Sequence, residues 1–125
     1  GYKSENLAAF YSTDSGLKLD YAMKDEKEIA SVIKYKRDLK LNGGILVSVP
    51  IPREKEIPNE IINKYIDEAI NEANKLKVHG KDITPFLLKK IVEETKGDSL
   101  RANIDLIYNN AKIGAIIARE YCKLK

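Results

Sequence analysis

The run Gly43-Gly44-Ile45-Leu46-Val47-Ser48-Val49-Pro50-Ile51-Pro52 constrains the fold more than any other stretch of this chain. Its apolar centre is short, nearly unbroken, and bounded by glycine on one side and proline on the other. That pattern reads as a buried strand over Gly44 to Val49. A strand apolar on both faces needs sheet neighbours and cover above and below. It follows directly on a helical pattern, so the chain is expected to be α/β with a covered sheet. Pro50 and Pro52 then force an extended, non-helical continuation into the charged loop 53–56. A second, half-buried strand is predicted where Leu17, Leu19 and Tyr21 alternate with Lys18 and Asp20. The turn-rich cluster Ser12 to Gly16 precedes it.

Most of the remaining chain is helical in period. Asp25 and Glu28 form a capping-box pattern for a first helix, with Ile29, Val32, Ile33 and Leu39 on its apolar face. Asn42-Gly43-Gly44 is the expected left-handed stop. Pro58 opens a long amphipathic helix carrying Ile61, Ile62, Tyr65, Ile66, Ala69, Ile70, Ala73 and Leu76, which Gly80 ends. Thr84 is the expected N-cap of a third helix, with Pro85 at its first position and Gly97 at its end. Asp98 or Ser99 is expected to cap the last helix, which holds Leu100, Ile104, Ile107, Ala111, Ala115 and Ala118.

Several function classes fall away on composition. The longest apolar run is far shorter than the roughly 20 residues of a bilayer span, and Gly1 to Glu5 hold no hydrophobic leader. The single cysteine, Cys122, cannot make an internal disulfide, so a cytoplasmic home is expected. Cys122 also lacks a nearby activating partner, since the only histidine is His79. Net charge is +3, with 22 Lys plus Arg against 19 Asp plus Glu. Only Arg37, Arg53, Arg101 and Arg119 are arginines. Bidentate phosphate and guanine recognition favours arginine, so the lysine excess argues for solubility before nucleic-acid binding. Gly43-Gly44 is followed by Ile-Leu-Val and not by Lys-Ser/Thr, which excludes a P-loop. No metal-ligand spacing and no nucleophile elbow are present.

Two places could carry chemistry. Asn103, Asn109 and Asn110 sit inside a helix that prefers other residues. Steps of seven and four residues put Asn103, Asn110 and Gly114 on one stripe. An amide there either bonds a neighbouring loop, lies at a wet edge, or points into a ligand pocket. Thr84 stands at a helix N-terminus, where free N–H groups cap or bind an anion.

Several segments together resemble the pseudouridine-5′-phosphate glycosidase, or indigoidine-synthase-A-like, family. They are Gly1-Tyr2, Ala9-Phe10-Tyr11 with Ser15-Gly16, Gly43 to Val47 with Pro50-Ile51-Pro52, Gly80 to Leu88, and Ser99-Leu100, Ala102-Asn103-Ile104 and Asn109-Asn110-Ala111. The resemblance covers essentially all 125 residues. It implies the C-terminal part of a layered α/β/α fold, mostly helices with one or two strands in this chain, and one domain portion over 1–125. It also implies reversible cleavage of the C–C glycosidic bond of pseudouridine 5′-phosphate to uracil and ribose 5-phosphate. In such enzymes a lysine forms an imine with the opened ribose, a glutamate donates a proton, and a divalent ion, usually manganese, organises the site. Members are cytoplasmic homotrimers. The lysine, glutamate and metal-binding aspartate belong to segments outside this chain. Asn103 matches a family asparagine facing the active site and is the expected catalytic residue. Thr84 and Asn110 match family positions and are the expected substrate-binding residues. Gly1, standing where a reading frame would begin with Met, fits a chain cut from something longer.

The chain departs from the family pattern at Val49, where Asn precedes Pro-Ile-Pro, and at Leu7-Ala8, where a Phe-Pro pair is common. Two alternatives follow: an inactive relative, or a helical interaction or weak RNA-binding module built on the lysine-rich helix from Lys34 to Lys40.

Overall fold

The computed structural model describes residues 1–124. Four α-helices carry the fold: α1 (Glu26–Asp38), α2 (Asn59–Lys75), α3 (Ile83–Glu94) and α4 (Asp98–Lys123). Short 3-10 turns at Arg53–Lys55 and Gly80–Asp82 precede α2 and α3. α4 is the spine. At 26 residues it is about 39 Å long, long enough to serve two small cores in series. Its N-terminal half packs with α2 and α3 around Tyr11, Ile51, Ile62, Ala69, Ile91, Ala102 and Leu106. Its C-terminal half packs with α1 around Tyr2, Ile29, Ile113 and Ile117.

The predicted strands are not strands. Among the described residues the only β pairings are two isolated bridges, Tyr2 with Met23 and Asn6 with Lys18. Gly44 to Val49 is free of helix, yet no backbone hydrogen bond joins Ile45, Leu46 or Val47 to another described residue. Only Ser48 is tied in. Its carbonyl accepts Tyr2 N–H at 2.9 Å, and its hydroxyl oxygen accepts Ala8 N–H at 2.9 Å. The reason is arithmetic: a strand exists only as part of a ladder, and the described residues offer this segment no partner.

Half of the capping box at α1 is present, and its second arm reaches one residue before the cap. Asp25 Oδ1 accepts Glu28 N–H at 2.9 Å, and Glu28 Oε2 accepts Lys24 N–H at 2.6 Å. The expected glycine stop is not. α1 ends at Asp38, with Leu39 as C-cap and Lys40 in the left-handed region at φ 54°. Lys40 N–H then reaches Arg37 O and Leu41 N–H reaches Lys36 O, the paired bonds of a Schellman motif. The same arrangement closes α2 with Lys77 left-handed, and α3 with Lys96 left-handed. Gly80 and Gly97 lie beyond those stops. Three lysines thus stand where glycine is ordinarily favoured. A left-handed residue with a Cβ carries a steric cost that glycine avoids, partly offset by glycine's greater freedom when unfolded. Lys40→Gly, Lys77→Gly and Lys96→Gly are each expected to raise stability by about 0.5 kcal/mol. Urea melts would show it as a higher midpoint, with the corresponding alanine variants showing none.

Two other predicted caps move. Thr84 is not an N-cap: α3 begins at Ile83, two residues before the expected Pro85, because the Gly80–Asp82 turn runs straight into it and Asp82 takes the cap position without a side-chain bond. Neither Asp98 nor Ser99 caps α4. Gly97 does, at φ 89°. The side-chain help comes from Thr95, whose Oγ1 accepts Ser99 N–H at 3.2 Å and lies 2.9 Å from Ser99 Oγ. Both residues are buried. Between α2 and α3, Lys90 bridges Glu72 at 2.9 Å and Glu94 at 3.1 Å. Those hydrogen bonds push its ammonium up to about 12.

Candidate functional site

α4 positions every asparagine the sequence singles out, and each meets a different fate. Asn109 faces inward, and its Nδ2 donates to the Pro50 carbonyl at 3.0 Å. This bond pins the Pro50–Pro52 segment to α4, where Ile51 is 1% exposed in the core. Asn109 is thus a structural amide. Asn103 is half-buried, and its Nδ2 is shut off from solvent with no hydrogen-bond partner among the described residues. An orphaned amide donor costs on the order of 1–3 kcal/mol. Asn110, two turns along the same stripe, is exposed.

Asn110 borders an open cleft of about 280 Å³. Leu7, Ala8, Ala9 and Phe10 line one side, Leu46 to Val49 another, and Leu106 lies with Asn110 on α4. No charged side chain lines it. Both departures from the family pattern, Leu7-Ala8 and Val49, therefore shape this one cleft. Thr84 and Asn103 do not line it. Thr84 is exposed at the start of α3, so the described residues do not gather all three expected site residues around one cavity.

The loop that presents Phe10 is firmly held. Ile57 N–H donates to Tyr11 O at 2.8 Å, and Thr13 N–H donates to Glu56 Oε2 at 2.8 Å. Ser12 Oγ lies 2.5 Å from Asn59 Oδ1, and Asn59 Nδ2 donates to Asp14 O at 2.9 Å. Tyr11 packs edge-on against Phe10 and is itself buried, which pushes its phenol up from the ordinary value and keeps it neutral. Sequence reasoning missed this lock. Its one signal is the polar pair Glu56 and Asn59 flanking Ile57-Pro58, ordinary in a loop and readable only once Ser12 and Thr13 are beside it.

The neighbouring asparagines Asn109 and Asn110 can be told apart by stability. Asn109→Ala leaves the Pro50 carbonyl without its donor and is expected to cost about 1 kcal/mol. Asn110→Ala removes an exposed amide and is expected to stay within about 0.5 kcal/mol of the parent. Equal losses in chemical denaturation would contradict the assignment.

Lys34 is paired with Asp38. Lys36 Nζ donates to Leu41 O and Asn42 O at 2.8 and 2.5 Å, and Arg37 donates to the Tyr121 hydroxyl at 2.6 Å. These cations are engaged in closing α1 and joining it to α4. Among the described residues no three of His, Cys, Asp and Glu come together as a metal site. No helix among them is long and apolar enough to cross a membrane.

The described residues thus present an uncharged cleft, a buried amide without a partner among them, and an extended segment without a ladder. The chain belongs to the family described as indigoidine synthase A like protein, which it matches over residues 1–120. Among curated relatives, the pseudouridine-5′-phosphate glycosidase of Petrotoga mobilis is 52% identical over 97% of this chain and 40% of its own length. That of Caldanaerobacter subterraneus subsp. tengcongensis is 52% identical over 99% of this chain and 40% of its own length. The chain thus spans about 40% of the relatives it matches, as their C-terminal portion. Among solved structures, an indigoidine synthase A-like protein from Thermotoga maritima superposes with a TM-score of 0.76 at 31% identity, over 95% of this chain and 39% of that one. The prealnumycin C-glycosynthase AlnA, in complex with ribulose 5-phosphate, superposes with a TM-score of 0.81 at 20% identity, over 99% of this chain and 41% of that one. The latter likeness is one of fold.

Proposed function

We propose that this chain is the C-terminal part of a pseudouridine-5′-phosphate glycosidase, an enzyme that adds water across the C–C glycosidic bond to give uracil and ribose 5-phosphate, and runs in reverse. The names of the curated relatives supply the activity. The observation in this chain that carries the reading is the Asn103 amide, a buried donor with no hydrogen-bond partner among the described residues. Asn103 lies on the α4 stripe it shares with Asn110 and is the catalytic residue this chain contributes, donating to a substrate oxygen. Asn110 and the uncharged cleft hold a neutral part of the substrate, and Thr84 binds substrate from the start of α3.

The C–C bond has no leaving oxygen to protonate, so the chemistry needs an amine that forms an imine with the opened sugar. That lysine and its proton-donating glutamate lie in the part of the domain outside these residues. The resemblance puts a divalent ion, manganese, there too. In the complete α/β/α domain, Gly44 to Val49 finds its ladder in strands from that part. The whole enzyme is a cytoplasmic homotrimer on this reading.

The test is synthesis. The full-length polypeptide, given uracil, ribose 5-phosphate and Mn²⁺, is expected to form pseudouridine 5′-phosphate, read by chromatography with mass detection. Absence of product under conditions where the Petrotoga enzyme forms it would reject the reading in favour of an inactive relative.

A further inference from the structure

Phe10 is an exposed aromatic on a rigid mount. It is 51% exposed and lines the cleft that Asn110 borders, yet the backbone on both sides of it is tied down. Before it, Leu7 O accepts Ser15 N–H at 3.0 Å and Ser15 Oγ–H at 2.7 Å, and Ala8 N–H donates to Ser48 Oγ at 2.9 Å. After it, Tyr11, Ser12 and Thr13 are bonded to Ile57, Asn59 and Glu56. Tyr11, buried in the core, meets Phe10 edge-on with ring centroids 5.2 Å apart. A half-exposed aromatic gives up burial that a covering group would supply. A mount already ordered adds little entropic cost to that covering.

Ser48 has a part in the same arrangement. It breaks the apolar run from Ile45 to Val49 and is buried. Leu7 to Phe10 and Leu46 to Val49 are two lining segments of the cleft. The bond from Ala8 to Ser48 spans from one segment to the other and so fixes their separation beside Phe10. The lining also selects among the parts of a nucleotide. No charged side chain is there to meet a phosphate. Its polar side chains are Asn110 and Ser48, and Ser48 is already engaged, which is too few for the hydroxyls of a ribose. A uracil ring fits the chemistry. It is neutral and flat, its faces stack on an aromatic, and its imide edge sets an N–H beside a C=O. A carboxamide such as that of Asn110 offers the matching acceptor and donor side by side.

We propose that Phe10 is the surface on which the uracil ring stacks, that Asn110 pairs with the imide edge, and that Ser48 is a positioning residue that sets the gap the ring enters. The assignment of the base rests on the glycosidase reading proposed above.

Uracil binding to the full-length polypeptide tests this without requiring turnover. The Kd is read by a saturation-transfer NMR titration on the uracil H5 and H6 protons, and pseudouridine 5′-phosphate synthesis is assayed in parallel. Phe10→Leu keeps an apolar side chain and loses the aromatic face, and is expected to weaken uracil about tenfold. Phe10→Tyr restores that face and is expected to restore binding. Ser48→Ala is expected to weaken uracil about threefold while kcat for synthesis holds, the pattern of a ground-state loss. Ser48→Thr, which keeps the oxygen, should recover it. A Ser48→Ala variant with a lower melting midpoint and the parent's Kd would overturn the positioning role. Uracil binding that depends on Phe10 in a polypeptide without turnover would sustain the stacking surface while rejecting the glycosidase reading. Equal uracil affinity in Phe10→Leu and the parent, or no uracil binding by the parent, would overturn the proposal.

Discussion

Asn103→Ala in the full-length polypeptide is expected to lower kcat for uracil release about a hundredfold, the scale lost when one aimed donor is removed from a reacting centre. Its effect on stability should have the opposite character. In the described residues the Asn103 Nδ2 is buried without an acceptor, so the chain gives up no internal hydrogen bond when the amide goes. A residue kept for packing would show the reverse, a lower melting point with turnover intact. Steady-state kinetics and thermal melts on the same preparation separate the two. The comparison variant is Asn109→Ala, whose bond to Pro50 predicts lost stability.

The largest stability effect is expected at Ile51. Ile51→Ala should cost about 3 kcal/mol, because the site combines lost burial with a cavity that its surroundings cannot close. Ile51 is 1% exposed among Tyr11, Ile62, Ile91 and Leu106. Its backbone cannot shift inward to fill the gap, since Pro50 and Pro52 fix the chain on either side and Asn109 holds the Pro50 carbonyl. Ile51→Val, which removes one methylene, should cost about 1 kcal/mol. Equal and small losses from both would mean that the Pro-Ile-Pro segment is not anchored in the core.

What the sequence made legible was periodicity. α2 and α4 follow from apolar residues at three-and-four spacing, and the Asp25 half of the capping box from a local pattern of the right length. Local competition between neighbours was harder to read. Lys40, Lys77 and Lys96 take the left-handed positions in place of the nearby glycines, each closing its helix with paired Schellman bonds. Thr84 lost its cap to a 3-10 turn that extends α3 backwards. Gly44 to Val49 has the composition of a strand, but composition specifies a preference and the ladder must come from elsewhere.

The candidate site was legible to a similar depth. Helical spacing put Asn103 and Asn110 on one stripe and marked the amides as costly, yet it could not say which of the three was already spoken for. That required knowing that Pro50 lies against Asn109. Nor could spacing show that Leu7-Ala8 and Val49, some forty residues apart in the chain, shape one cleft with Asn110.

On the proposed reading these residues form one wall of a glycosidase whose imine-forming lysine lies elsewhere in the polypeptide. Borohydride trapping tests it most directly. The full-length polypeptide is incubated with ribose 5-phosphate, reduced, digested and mapped by mass. A single sugar-phosphate adduct on a lysine outside residues 1–125 is expected. A specific adduct on one of the lysines within them, or turnover with no trappable adduct, would contradict it.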